Sequence, residues 1–270
     1  GSGALGGGSN SAASNVAVGK DAGNAVTTGA SNTLIGSQAG DALLAAADNV
    51  AVGASALSAE TGGQNNVAIG KNALLVQVNS SGNIYNTVVG SQAGKAVTTA
   101  IRNTLIGGLV GDALTEGARN TAVGYAVLSG DTLGSRNVGI GYEVLGSQNF
   151  TTATDSYNTA VGYQAGNAVT TGIENVLIGG LSGDLLTDAD FNVAVGKNTL
   201  TADTLGSRST AIGQNALSTQ NFTTATNTHN VAVGYNAGTA VTTGIDNTLI
   251  GGVAGDAITT GHSNVAIGFS

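Results

Sequence analysis

The sequence has no cysteine, no proline, no methionine and no tryptophan. Without cysteine there are no disulfides and no thiolate metal ligands. Charged residues make up 9% of the chain and aromatic residues 4%, where ordinary domains carry roughly 25% charge. Only eight residues are Lys or Arg, and the net charge is −8. No basic stripe is visible, so no nucleic-acid partner is expected. No apolar run approaches the ~20 residues that a membrane helix needs, so no membrane insertion is expected. Glycine is plentiful instead, at 44 of 270 residues. So much Gly, Ser and Asn would suggest disorder, but Val, Ile, Leu and Ala return at fixed offsets and supply a face to bury.

Those offsets belong to one short phrase, Asn-x-x-(Val/Ile)-Gly. It appears first as NVAVG at 15–19 and last as NVAIG at 264–268, with fifteen copies in all. One copy, STAIG at 209–213, has Ser209 in place of Asn. Three intervals of 17 residues are followed by one of 20 or 21. A short period inside a long one signals a solenoid that grew by duplication of four-coil blocks. Residues 1–270 therefore read as one solenoid domain with blocks at 15–85, 86–157, 158–229 and a partial 230–270. Its repeat positions are marked by Asn15 and Gly19, Asn86 and Gly90, Asn158 and Gly162, and Asn230 and Gly234. First coils resemble NTAVGYQAGNAVTTG (158–172) and second coils NTLIGGLVGDALTEG (103–117). Third coils carry DTLGSR (131–136 and 203–208), and long fourth coils carry QNFTTAT (148–154 and 220–226).

Within the phrase, three or four β-favouring residues end at Gly, which reads as a short strand and a bend. Side chains alternate along a strand. The middle and third positions therefore point opposite ways, and both are apolar or Gly in every copy. Both faces are expected to be buried, one inside the coil and one against another surface, which predicts an oligomer. The invariant Gly implies positive φ or a close backbone approach. The Asn suits a turn with left-handed geometry, and stacked Asn side chains form amide ladders. Small residues recur at offsets seven and ten, as in Ala22 and Ala25 or Ala165 and Ala168, so a second thin strand or a tight turn is expected there. Fifteen rungs at ~4.8 Å would make a rod roughly 70 Å long. There is no initiator Met. Gly3, Ala4 and Leu5 with Ser9, Asn10 and Ser11 resemble the tail of a long fourth coil, and the last copy stops at Phe269 and Ser270. The chain reads as an excerpt of a longer fibre or a unit that stacks end to end.

The phrase NVAIG or NTAVG followed by x-x-Ala resembles the head repeats of trimeric autotransporter adhesins. It is similar also to repeats of bacteriophage tail fibres, in which strings such as NTAVGYQAG occur. The resemblance covers nearly the whole chain. It implies a left-handed parallel β-roll, three chains packed around an axis and a role in surface attachment. The 17-residue coil is longer than that of the adhesin heads, so strand or turn lengths must differ.

The fourth-coil loops at 78–85, 149–157 and 221–229 are expected to protrude, and loops on a rigid scaffold are where binding sits. They hold every Asn-x-Ser/Thr sequon of the chain, at Asn79, Asn149 and Asn221, which are candidate glycosylation sites. Phe150 and Phe222 within them, and Tyr125, Tyr142 and Tyr163 after the invariant Gly, are candidate surface contacts for a sugar or a protein; Tyr235 repeats the tyrosine position. Asp41, Asp112, Asp184 and Asp256 recur once per block, too far apart to share a cation. No metal site and no cofactor are expected. His229 and His262 lie on different coils without a recurring Ser or Asp partner, so no enzyme is expected. The expectation is a structural and adhesive fibre segment, the shaft or receptor-binding part of a phage-type tail fibre. It would act at a virion surface or outside a cell, with its own copies and a cell-surface glycan or protein receptor as partners. The alternative is a bacterial adhesin head or a self-assembling extracellular filament.

Overall fold

The computed structural model describes residues 1–6 and 14–270; Ser9, Asn10 and Ser11 lie outside the described residues. Among the described residues there is no helix, and none of the chain is long, helical and apolar enough to cross a membrane. The chain is an all-β parallel solenoid of fifteen coils at the 17-residue spacing. It packs as two compact units, one of residues 1–135 with 151–154 and one of residues 136–150 with 155–270.

In the first unit the strands Val16–Val18, Thr33–Ile35, Val50–Val52, Val67–Ile69, Thr87–Val89, Thr104–Ile106 and Thr121–Tyr125 pair in parallel succession. In the second unit Val138–Tyr142, Thr159–Tyr163, Val176–Ile178, Val193–Val195, Thr210–Ile212, Val231–Val233, Thr248–Ile250 and Val265–Ile267 do the same. Register is unshifted, so each residue of the phrase lies over its equivalent one coil away, as Ala160 lies over Leu177.

The middle residue of the strand faces the core: Leu34, Val88, Leu105 and Leu177 are wholly buried. The first and third residues face outward, and the third is exposed at Ile35, Ile106, Ile178 and Ile250. Burial of both faces is thus corrected for the single chain. A coil this narrow admits one inward side chain per strand, because the turn opposite fills the remaining space.

Of the second strand or tight turn expected after the Gly, the structure has the turn. The only short strand pair within the second unit outside the main ladder joins Gly206–Ser207 to Thr226–Asn227. The turn is wound by residues in the left-handed region. In one coil these are Ser31 (φ 59°), Gln38 (φ 59°) and Gly40 (φ 55°); in another they are Arg119 (φ 60°), Ala126 (φ 50°) and Leu128 (φ 53°). A non-glycine residue there costs roughly 1–2 kcal/mol. Hydrogen bonds between coils offset that cost: Gln38 N–H donates to the Lys20 carbonyl at 2.9 Å and Gly40 N–H to that of Ala56 at 2.9 Å. The left-handed residue is the one before each Asn, not the Asn itself, which corrects the turn expectation for Asn.

The inward turn residues sit at offsets seven, eight and eleven from Asn. Offset eleven reads Val97, Leu114, Asp131, Gln148 in one block and Val169, Leu186, Asp203, Gln220 in the next, all fully buried. Offset eight compensates in volume. It is Gly where offset eleven is Val or Leu, as at Gly166 and Gly183, and Leu where offset eleven is polar, as at Leu200 and Leu217. A Cβ at Gly183 would lie 2.7 Å from Leu186 Cδ1. The block of four is therefore a packing unit as well as a sequence unit.

Candidate functional site

The repeat residues form a scaffold. Asn32 Oδ1 accepts the Asn49 backbone N–H at 3.0 Å, and Asn32 Nδ2 donates to the Ala46 carbonyl at 2.9 Å. Asn158 does the same toward Asn175 N–H at 2.9 Å and the Gly172 carbonyl at 2.8 Å. Asn15 and Asn86 make equivalent bonds in the first unit, and Asn230 in the second. Each of these Asn side chains thus ties one coil to the next and closes its own coil. The invariant Gly is required twice over. Gly162 has φ 143°, and a Cβ on it would lie 2.5 Å from the Gly179 carbonyl oxygen. Gly19, Gly90 and Gly234 share the geometry.

A buried carboxylate completes every third coil, and sequence reasoning missed it. Glu60 Oε1 accepts backbone N–H bonds from Thr61, Gly62, Gly63 and Asn79 at 2.8 to 3.1 Å. Its Oε2 accepts from Gln77 Nε2 at 2.7 Å and Asn79 Nδ2 at 3.1 Å. Asp203 repeats this with Gly206 and Phe222 N–H, both at 3.1 Å, and with Gln220. In turn Gln220 Oε1 accepts Asn230 Nδ2 at 2.8 Å, and Gln77 Oε1 accepts Asn86 Nδ2 at 2.8 Å. These acids hold the long fourth coil in place. The sequence signal is an acid eleven residues after the third Asn and a Gln eleven after the fourth.

The loops are therefore partly core. Phe150 and Phe222 are 5% and 7% exposed, so their assignment as surface contacts is corrected: the rings pack inward and close the long coil. Thr223, Thr224 and Ala225 form the exposed tip beside Phe222. Of the sequon asparagines, Asn149 and Asn221 are exposed. Asn79 commits its Nδ2 to Glu60, so a glycan there would break the carboxylate's shell.

Three outward columns remain. The first is the aliphatic stripe of third strand positions. The second is the tyrosine column: Tyr125, Tyr142, Tyr163 and Tyr235 are exposed. Within the second unit the rings of Tyr142 and Tyr163 stack at 5.5 Å with planes 7° apart. On the following rung Gly180 carries no side chain, and Tyr163 is 55% exposed.

The third column is the left-handed residue before Asn, which sequence reasoning did not assemble. All four arginines of the chain occupy it, at Arg102, Arg119, Arg136 and Arg208, together with Tyr85, Tyr157, Phe191 and His229. In the second unit this column is internally partnered. Arg136 Nε lies 2.8 Å from Asp155 Oδ1 and its guanidinium 5.4 Å from the Tyr157 ring centre; the bond to Asp155 raises the arginine's pKa. Arg208 lies 4.6 Å from the Phe191 ring centre and donates to Asn227 Oδ1 at 3.1 Å. His229 Nδ1 is 3.5 Å from Asp246, exactly one 17-residue step on, a partner that the sequence reading had not given it. His262 Nδ1 accepts the Ile245 N–H at 3.1 Å. Neither histidine meets a nucleophile in these contacts.

Of the second-coil acids, Lys95 pairs with Asp112 at 3.0 Å, and Thr201 donates to Asp184 at 2.6 Å. Burial raises the pKa of Asp41, Asp184 and Asp190. Among the described residues no three His, Cys, Asp or Glu side chains converge as a metal site would need. No family model, curated protein or solved structure matches this chain.

Proposed function

We propose that this chain is a structural and adhesive fibre segment of the phage tail-fibre type, acting outside the cell or on a virion, without catalysis and as a homotrimer. The observation that carries the reading is the aliphatic stripe. Val or Ile stands at the third strand position in all fifteen coils, yet the chain's own coils leave it outward, with Ile35 and Ile140 each 40% exposed. A contiguous apolar face larger than a few hundred Å² marks an interaction surface. The face repeats at the rung spacing, so copies of the same chain in register are its natural complement. The rigid Asn and Gly scaffold suits a shaft, and the exposed tyrosines suit contact with a sugar or protein receptor.

The test is native mass by light scattering of the chain and of an Ile178→Asp/Ile212→Asp variant. The expected result is three times 26.0 kDa for the parent and dissociation for the variant. A parent that stays monomeric across the concentration range overturns the oligomeric part of the reading.

A further inference from the structure

We propose that Tyr85, Arg102 and Arg119 form a binding face for an acidic glycan, the arginines taking its carboxylate or sulfate groups and the tyrosine ring packing on a sugar. This extends the adhesive reading to a ligand class, and it is independent of whether the chain is a trimer.

The three residues stand in register. Thr87 pairs with Thr104 and Thr104 with Thr121, so Tyr85, Arg102 and Arg119 occupy successive rungs. Backbone bonds fix the arginines there: Arg102 N–H donates to the Ile84 carbonyl at 2.9 Å and Arg119 N–H to that of Ile101 at 3.0 Å. All three side chains are exposed. The two side chains leave the backbone one rung apart, about 4.8 Å by the strand spacing, and like charges on adjacent rungs repel.

The other two arginines of the column are satisfied by Asp155 or by Asn227 and the Phe191 ring. Arg102 and Arg119 have no side-chain hydrogen bond or ion pair among the described residues, although the chain carries sixteen acids. Glu116, the exposed acid nearest Arg119 in the chain, makes no ion pair with it. Two free forks in line match planar anionic groups. Beside them the loop at 78–85 exposes Ser80, Ser81 and Asn83, groups that hydrogen-bond to sugar hydroxyls. A net charge of −8 opposes a long polyanion, which favours a saccharide with spaced charges over a nucleic acid.

The experiment measures binding of the full chain to four immobilised probes: a sialylated oligosaccharide, a short sulfated oligosaccharide, neutral dextran and a single-stranded oligonucleotide. The variants are Arg102→Asn, Arg119→Asn and Tyr85→Ala, with Lys197→Ala, an exposed cation of the second unit, as control. Asn tolerates left-handed geometry and stands in the same column at Asn65 (φ 61°), so the arginine variants keep the fold, which melting curves verify. The expected result is binding to one or both acidic glycans, with sialylated and sulfated arms separating carboxylate from sulfate recognition. Each arginine variant should lose about ten-fold in affinity, the worth of one charge-assisted hydrogen bond, and Lys197→Ala should not. Equal binding by the arginine variants, no binding to either acidic glycan, or binding to the oligonucleotide alone overturns the proposal. Light scattering on the same samples reports separately on the oligomer.

Discussion

Gln220 donates from Nε2 to the buried carboxylate of Asp203, one rung before it, at 2.5 Å, while its Oε1 accepts from Asn230. The amide is thereby oriented, and the long coil is tied to the coils on both sides of it.

Removing the acid should be felt at once. Asp203→Ala strands the Gly206 and Phe222 N–H groups and one N–H of Gln220 Nε2, which keeps its bond to Ser209 Oγ, and unsatisfied buried donors cost roughly 1–3 kcal/mol each. A loss of about 3 kcal/mol is expected. Asp203→Asn places one amide N–H₂ against another, or turns an amide away from its other partner, and should lose about 1–2 kcal/mol. Denaturant midpoints should fall in the order parent, Asn, Ala. An Ala variant as stable as the parent would sink the clamp.

Gly162→Val tests the invariant glycine. The substitution forces a branched residue to φ 143° and drives its Cβ to 2.5 Å from the Gly179 carbonyl oxygen. Strain of this kind costs on the order of 1–3 kcal/mol before any loss of pairing. Thermal melting should show a clear drop, and an unchanged melting temperature would remove the steric explanation.

The long loop divides into core and tip. Phe222→Ala empties a nearly buried site and should cost about 3 kcal/mol. Deleting the exposed Thr223, Thr224 and Ala225 should cost little, because the coil is closed by Asp203 and Phe222. If both variants melt alike, Phe222 is not part of the core.

Asp41 predicts a pH dependence. Burial holds its carboxyl above the ordinary 3.8, and its buried Oδ1 has no hydrogen-bond partner. The folded chain binds this proton more tightly than the unfolded chain does. The ionised group therefore costs stability above its folded pKa, and the cost is relieved as pH falls from there toward 3.8. Asp184 and Asp190 act in the same sense. Asp41→Asn should raise the melting temperature at pH 7 and lose that advantage near pH 4. A gain of equal size at both would contradict the assignment.

The rungs, their register and the four-coil block were legible because side-chain spacing at 17 residues is a direct image of stacking. The strand faces were legible only in part. Alternation separates Ala160 from Val161, but it does not say how many side chains a narrow coil admits, so Val161 was expected to be buried. The inward place of Asp131, Asp203, Gln148 and Gln220 was not legible, because nothing local marks offset eleven as inward. Their polarity pointed outward, and the packing partner that reverses this, a Leu three residues earlier, sits in the same coil. The arginine column was hidden for another reason. A left-handed backbone is not what local preference assigns to Arg, Tyr or Phe, so the site before Asn did not stand out as a single geometric position.

That position has one more property. Tyr85, Arg102, Phe191 and His229 have φ values of 59°, 60°, 59° and 50°. Four side chains of different size and charge share one backbone shape, and at Arg102 and Phe191 main-chain N–H bonds to the Ile84 and Ile173 carbonyls hold it. The column works as a pegboard: each 17-residue step presents one interchangeable peg, and changing the peg leaves the board as it was. The surface of such a chain is free to change by single substitutions while the fold carries no memory of the change.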